Sequence, residues 1–202
     1  MIPEAPPERS FEEAYRTRTP PWDIGRPQDE VVRLLDEGRI VAPVLDVGCG
    51  TGEHALACAS RGLAAVGVDG APTAIAKARA KAAERGLSVR FEVGDALDLA
   101  FLGTTFQTVI DSGLFHVFED EDRPRYAASL RNVLAPGGTA FVLCFSDAEP
   151  NWGGPRRVSE AEIHATFDDM FVVREIARAR FQTTDPNQRV EAWRVRLDRP
   201  AG

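Results

Sequence analysis

The sequence has no run of about 18 apolar residues, so it offers no membrane-spanning helix. Its first residues, Met1-Ile2-Pro3-Glu4-Ala5-Pro6-Pro7-Glu8, lack the cationic and apolar stretches of a secretory leader, and a cytoplasmic location is expected. Cysteine is scarce. Cys49, Cys58 and Cys144 are odd in number, lie in apolar segments and are not spaced for zinc, so reduced, packed thiols are expected, with no metal. Basic residues are the minority, 24 Lys and Arg against 31 Asp and Glu, for a net charge of −7. Without an extended basic tract, a large non-specific nucleic-acid or membrane surface is disfavoured, and a small molecule is the expected partner. No repeat or domain boundary interrupts the 202 residues, a length that suits one compact α/β domain and is short for two.

What the sequence does contain is centred on Val44-Leu45-Asp46-Val47-Gly48-Cys49-Gly50-Thr51-Gly52. Val44, Leu45 and Val47 suit a buried strand, and the glycines remove Cβ atoms where the chain must turn sharply, so a ligand can press against bare backbone. Helical spacing resumes at Glu53, which puts the turn at a helix N-terminus beyond the carboxyl end of a strand. Alone, the pattern is weak evidence, since an ordinary strand-to-helix turn is the alternative. A second apolar strand, Leu63 to Val68, ends in Asp69, near the spacing of about 20 residues at which a carboxylate meets a ribose hydroxyl. An adenosine-containing cofactor fits both features. Asp46 would repel the pyrophosphate of a dinucleotide but suits the ammonium and sulfonium of S-adenosylmethionine.

With Gly67-Val68-Asp69, Gly94-Asp95-Ala96 and Leu134-Ala135-Pro136-Gly137-Gly138 following in order, the sequence resembles the class I S-adenosylmethionine-dependent methyltransferases over roughly residues 40–145. The resemblance implies a Rossmann-like α/β fold, a mostly parallel seven-stranded sheet with helices on both faces and an antiparallel final strand. It implies cofactor contacts at Asp46, Gly48, Cys49, Gly50, Gly52, Asp69, Gly70, Asp95, Ala96, Asp111 and Leu114. Thr19-Pro20-Pro21-Trp22-Asp23-Ile24-Gly25-Arg26-Pro27 is similar to the N-terminal segment of the thiopurine, halide and thiol methyltransferases, whose tryptophan at this place contacts the cofactor. Residues 1–27 therefore read as a lid carrying Trp22, and 28–202 as the core of a single domain.

The fourth strand, Phe106 to Asp111, leads into Ser112-Gly113-Leu114-Phe115-His116-Val117-Phe118, a segment that faces the transferable methyl group in this class. His116 is the general-base candidate; the alternative is a hydrogen-bonded pocket wall. The halide and thiol group carries a different aromatic and cysteine arrangement here, which argues against a halide acceptor. Phe115, Phe118 and Trp152 offer an apolar wall, and Arg156 or Arg157 could meet an anionic group. A helix is expected over Glu119 to Leu134, a capping box at Ser159 and Glu162, and a terminal hairpin from Phe171 to Ala177 and Val190 to Leu197. The expected function is methyl transfer to an aromatic hydroxyl, thiol or thiopurine-like acceptor. The alternatives are a cofactor-binding protein without transfer, a protein methyltransferase and a nucleotide-dependent oxidoreductase.

Overall fold

The continuous apolar run at Val44 needs a strand buried on both faces, since a half-exposed strand would alternate. In the computed structural model, which describes residues 9–151 and 153–201, β1 (Val44–Val47) is buried at all four positions. It pairs in parallel with β2 (Ala65–Asp69) on one side and β4 (Phe106–Ser112) on the other. With β3 (Arg90–Val93), β5 (Leu134–Phe145), β6 (Val172–Gln182) and β7 (Arg189–Asp198), the sheet has seven strands in the order β3-β2-β1-β4-β5-β7-β6. β7 runs opposite to the other six strands. Connections from β1 leave toward β2 and those after β3 return to β4, so the strand order reverses between β1 and β4, the place where open α/β sheets bind ligands.

Helices cover both faces. Val31, Leu34 and Leu35 of α2 (Asp29–Asp36) pack with Ala55 and Leu56 of α3 (Glu53–Ser60) and Ile75 and Ala78 of α4 (Pro72–Glu84), over Phe91, Ile110 and Phe141 of the sheet. On the other face Tyr126 and Leu130 of α5 (Arg123–Val133) and Phe167 of α6 (Glu160–Phe167) pack with Phe115, Trp193 and Val195. Each fully buried Leu, Ile, Val or Phe among these contributes roughly 1.5–3 kcal/mol relative to exposure. A further helix, α1 (Arg9–Thr17), lies against α4.

Three expected boundaries move. α5 begins at Arg123 rather than Glu119, because Pro124 has no N–H and belongs in a first turn. Residues 119–122 form a turn closed by Asp122 N–H to the Glu119 carbonyl at 3.1 Å. Pro136-Gly137-Gly138 is not a turn before the fifth strand but an irregularity within it: Phe106 pairs with Leu134, and pairing resumes shifted at Thr108 with Thr139. β6 continues past Ala177 to Gln182, which brings Phe181 beside the carboxyl ends of β4 and β5. The capping box at Ser159 and Glu162 is present, with both reciprocal hydrogen bonds.

Candidate active site

The glycine turn is held open by its own backbone. Gly48, Gly50 and Gly52 all have positive φ, +67°, +52° and +89°, a region that side chains with a Cβ rarely enter. A Cβ on Gly48 would lie 2.9 Å from Leu114 Cβ, and one on Gly50 would lie 2.6 Å from the Tyr15 hydroxyl. Asp69 ties the turn to the end of β2: its Oδ2 accepts the Gly50 N–H at 2.8 Å and its Oδ1 accepts the Ala71 N–H at 2.8 Å. Burial raises its carboxyl above the usual range, and these two amides oppose that rise.

A cavity of about 610 Å³ opens over this turn and extends to the carboxyl end of β4. Gly48, Cys49, Gly50, Asp69 and Gly70 line one part, Asp95 and Ala96 border it, and Leu114 and His116 line the part beyond β4. Asp95 also closes its own turn, accepting the Leu97 N–H at 2.8 Å. Trp22 stands over the cavity. Its indole N–H donates to the Tyr15 hydroxyl at 2.9 Å, and its ring meets Phe11 and Tyr15 edge-on, at 5.7 and 6.2 Å. The segment carrying it is tied down on both sides. Thr51 Oγ1 donates to Asp23 at 2.7 Å, Lys77 Nζ donates to the Tyr15 carbonyl at 2.6 Å, and the Glu12 carboxylate accepts from the N–H and hydroxyl of Thr73. At the hairpin, the Gln28 side chain pairs with the Gln182 backbone at 2.8 and 3.0 Å, and Thr184 N–H donates to the Pro21 carbonyl at 2.8 Å.

Three of the expected cofactor residues are not on the cavity wall. Asp46 is 1% exposed beneath the turn, where it accepts the Ala55 N–H at 3.1 Å and faces His54 Nδ1 at 3.7 Å. Gly52 caps α3, and its missing Cβ leaves room for the Phe91 ring. Asp111, also 1% exposed, accepts the Tyr126 hydroxyl at 2.5 Å and the N–H groups of Leu114 and Phe115 at 2.9 and 3.3 Å. All three shape the wall from behind. A carboxylate next to a glycine turn looks the same in sequence whether it faces the ligand or the helix.

His116 is on the wall but is not arranged as a base. It is 4% exposed, and its Nδ1 accepts the Phe145 N–H at 3.0 Å, which leaves the ring proton on Nε2. Burial, with the guanidinium groups of Arg157 and Arg123 adding to it, pushes its pKa down to about 3. The neutral ring is therefore a hydrogen-bond donor. It packs at 4.4 Å from the Phe145 ring and 6.2 Å from that of Phe181.

Of the expected apolar wall, Phe118 lines the cavity, Phe115 is buried away from it and Trp152 lies outside the described residues. Phe145 and Phe181 complete the wall instead. Arg156 is not on the wall; it pairs with Asp120 at 2.6 Å and with Glu162. Arg157 donates to the carbonyls of Gly153, Pro155 and Pro150 at 2.9, 2.6 and 2.6 Å. Sequence reasoning missed Phe181 and His54. The period-2 run Ala177-Arg178-Ala179-Arg180-Phe181 was the available signal for the first. For His54, whose Nε2 accepts the Gln28 N–H at 3.2 Å, no sequence signal exists, because its partner is distant in the chain.

Residues 44–138 match the methyltransferase domain family. The chain is 42% identical over 180 residues to the 2-heptyl-1-hydroxyquinolin-4(1H)-one methyltransferase of Mycobacteroides abscessus, covering 84% of this chain and 79% of that protein. It is 30% identical to the probable thiol methyltransferase 2 of Arabidopsis thaliana, covering 75% of this chain and 68% of the other. A structure solved for the conversion of a disulfide bond into a thioacetal group during echinomycin biosynthesis superposes with a TM-score of 0.88 at 37% identity, over 97% of this chain and 94% of the other. Kinship at this level, spanning most of both chains, places the protein in a family: it belongs to the class I S-adenosylmethionine-dependent methyltransferases.

Proposed function

We propose that the protein transfers a methyl group from S-adenosylmethionine to a small apolar acceptor bearing an aromatic hydroxyl or a thiol. The observation that carries this reading is one continuous cavity with two different walls. Its floor is the glycine turn with Asp69, and its far end, beyond Leu114, is lined by His116, Phe118, Phe145 and Phe181. Its volume is within the range of small-molecule sites, with polar groups such as Asp69 and Asp95 on the glycine-turn side and the aromatic rings of Phe118, Phe145 and Phe181 at the far end. The relatives' acceptors, a hydroxyquinolone in one and thiols in another, are small molecules of this kind.

The chain's residues fit the cofactor. Gly48 and Gly50 lack the Cβ atoms that would fill the floor, and Asp69 keeps carboxylate lone pairs for ribose hydroxyls after accepting its two amides. Ala96 and Leu114 give apolar surface for a purine ring. Asp46 and Asp111 hold the turn and the β4 end in place, and Trp22 with Tyr15 roofs the site against water. When bound, S-adenosylmethionine supplies an electrophilic methyl group on a sulfonium, which an oxygen or sulfur nucleophile displaces in line. The chain's work is then alignment and exclusion of water. The N-terminal segment up to residue 27, of which residues 1–8 lie outside the described residues, acts as the lid of a single domain.

Incubation with S-adenosylmethionine and a panel of phenols, hydroxyquinolines and aryl thiols should release S-adenosylhomocysteine with at least one acceptor. Cofactor binding without turnover across the whole panel would count against the reading.

A further inference from the structure

The end of the cavity beyond β4 has an unusual balance of polar groups. Its lining of Ser112, Gly113, Leu114, His116, Val117 and Phe118, with Phe145, Pro155, Phe181 and Thr183, holds no carboxylate, lysine, cysteine or tyrosine among the described residues. His116 is the one titratable side chain among these, and its Nδ1 is committed to the Phe145 N–H at 3.0 Å. Of the acidic and imidazole groups elsewhere on the same cavity's lining, Asp23 accepts from Thr51, Glu53 is paired with Lys81 and Arg85, and His54 Nε2 accepts the Gln28 N–H. To take a proton from an acceptor at Nε2, the ring would need a proton on Nδ1, which would point at that same N–H. What remains available on the cavity wall is the Nε2–H, since the bond to Phe145 occupies the other ring nitrogen. The charges acting on the ring are both positive. Arg157 is held by three backbone carbonyls, and Arg123 by the Phe118 carbonyl at 3.3 Å and Glu162 at 3.1 Å. Among the described residues, the rings packed against it, Phe145 from β5 and Phe181 from β6, carry no charge.

We infer that this site binds its acceptor as an anion, with the His116 Nε2–H donating to the negatively charged oxygen or sulfur and no residue of the chain acting as a base. The inference rests on the methyltransferase reading and names the form in which that site takes its substrate. The acceptor's proton passes to solvent on binding and the imidazole keeps its own, so the enzyme's protonation state is the same before and after transfer. Burial among aromatic rings by itself disfavours an anion, so the charge-assisted hydrogen bond from the Nε2–H, with the guanidinium groups of Arg157 and Arg123 nearby, has to outweigh that cost. Acceptors of low pKa, such as nitrophenols, N-hydroxy heteroaromatics and aryl thiols, are thereby preferred over ordinary alcohols. His116 touches the reacting atom in this arrangement and sets its ionisation.

The test uses the full chain saturated with S-adenosylhomocysteine, so that nothing turns over, and 4-nitrophenol as an optical probe titrated with pH. Wild type should bind the phenolate and lower the probe's pKa by about one unit or more, equivalent to about 1.4 kcal/mol. His116→Gln, which keeps an N–H near the Nε2 position but is no base, should keep most of the shift, and His116→Phe should lose it. In turnover, His116→Phe should lower kcat/KM for a phenol on the order of 10- to 100-fold, the loss of one hydrogen bond to a charged group, with His116→Gln recovering most of it. Nitrogen NMR of the imidazole should show the neutral Nε2–H tautomer from about pH 5 to about pH 8. A probe that fails to bind or binds with its solution pKa, an Nδ1–H tautomer, or a His116→Gln variant as impaired as His116→Phe would overturn the inference. Calorimetric binding of S-adenosylhomocysteine, measured on the same samples, separates this failure from failure of the methyltransferase reading itself.

Discussion

Replacing Gly50 by alanine asks whether the N-terminal helix really sits on the glycine turn. Residue 50 has φ +52°, where a side chain with a Cβ costs about 1–2 kcal/mol. The new Cβ would lie 2.6 Å from the Tyr15 hydroxyl oxygen, while the next atom, Tyr15 Cζ, is already at 3.5 Å. The hydroxyl must therefore move, and the hydrogen bond it accepts from Trp22, worth about 0.5–1.5 kcal/mol net, is lost with it. The sum is about 1.5–3.5 kcal/mol, or a fall in Tm of roughly 3–14 °C for a chain of this size. In a Tyr15→Phe background the clashing atom is gone and only the backbone cost of about 1–2 kcal/mol remains. Urea unfolding of the four proteins measures the difference: Gly50→Ala should cost about 0.5–1.5 kcal/mol less when Tyr15 is phenylalanine. An equal cost in both backgrounds would refute the docking of α1 over the turn.

Two further outcomes follow from the wall behind β4 and the far end of the cavity. Burial raises the Asp111 carboxyl from its ordinary 3.8 to about 6, with the Tyr126 hydroxyl and two amides pulling it back down. Since the folded value is the higher one, the carboxyl's contribution to stability is complete below about pH 4 and is lost as pH rises through about 6. Tyr126→Phe removes a donor that favours the charged form, so urea unfolding should show a loss of about 1.5–3 kcal/mol near pH 8 and a clearly smaller one near pH 5, and equal losses would contradict this pairing. Phe181→Ala should raise KM for an aromatic acceptor roughly tenfold while S-adenosylhomocysteine affinity stays within about twofold, and parallel losses in both would show that Phe181 does not belong to the acceptor end.

The sheet was legible because its signals are local: apolar runs, glycines after Val47 and a carboxylate after Val68 fall in a fixed order. The wall residues Gly48, Cys49, Gly50, Asp69, Gly70, Asp95, Ala96 and Leu114 sit in these turns, so their placement on the cavity followed from the strands. What sequence could not supply was direction. Asp46 and Asp111 each stand at a strand end with nearby backbone amides to bind, and both turned inward to them rather than outward to the cavity. The role of His116 depended on one amide, Phe145 N–H, 29 residues away. Phe181 reached the site because β6 runs five residues beyond Ala177, along the alternating run Ala177 to Phe181.

The most direct measurement is calorimetric titration of the purified chain with S-adenosylhomocysteine, on wild type and on Asp69→Ala. Wild type should bind in the micromolar range, and Asp69→Ala should bind at least about tenfold more weakly, since the ribose hydroxyls lose their acceptor and the Gly50 amide its anchor. Absent binding by the wild type, or equal binding by both proteins, would contradict the assignment of the glycine turn and Asp69 as the cofactor site.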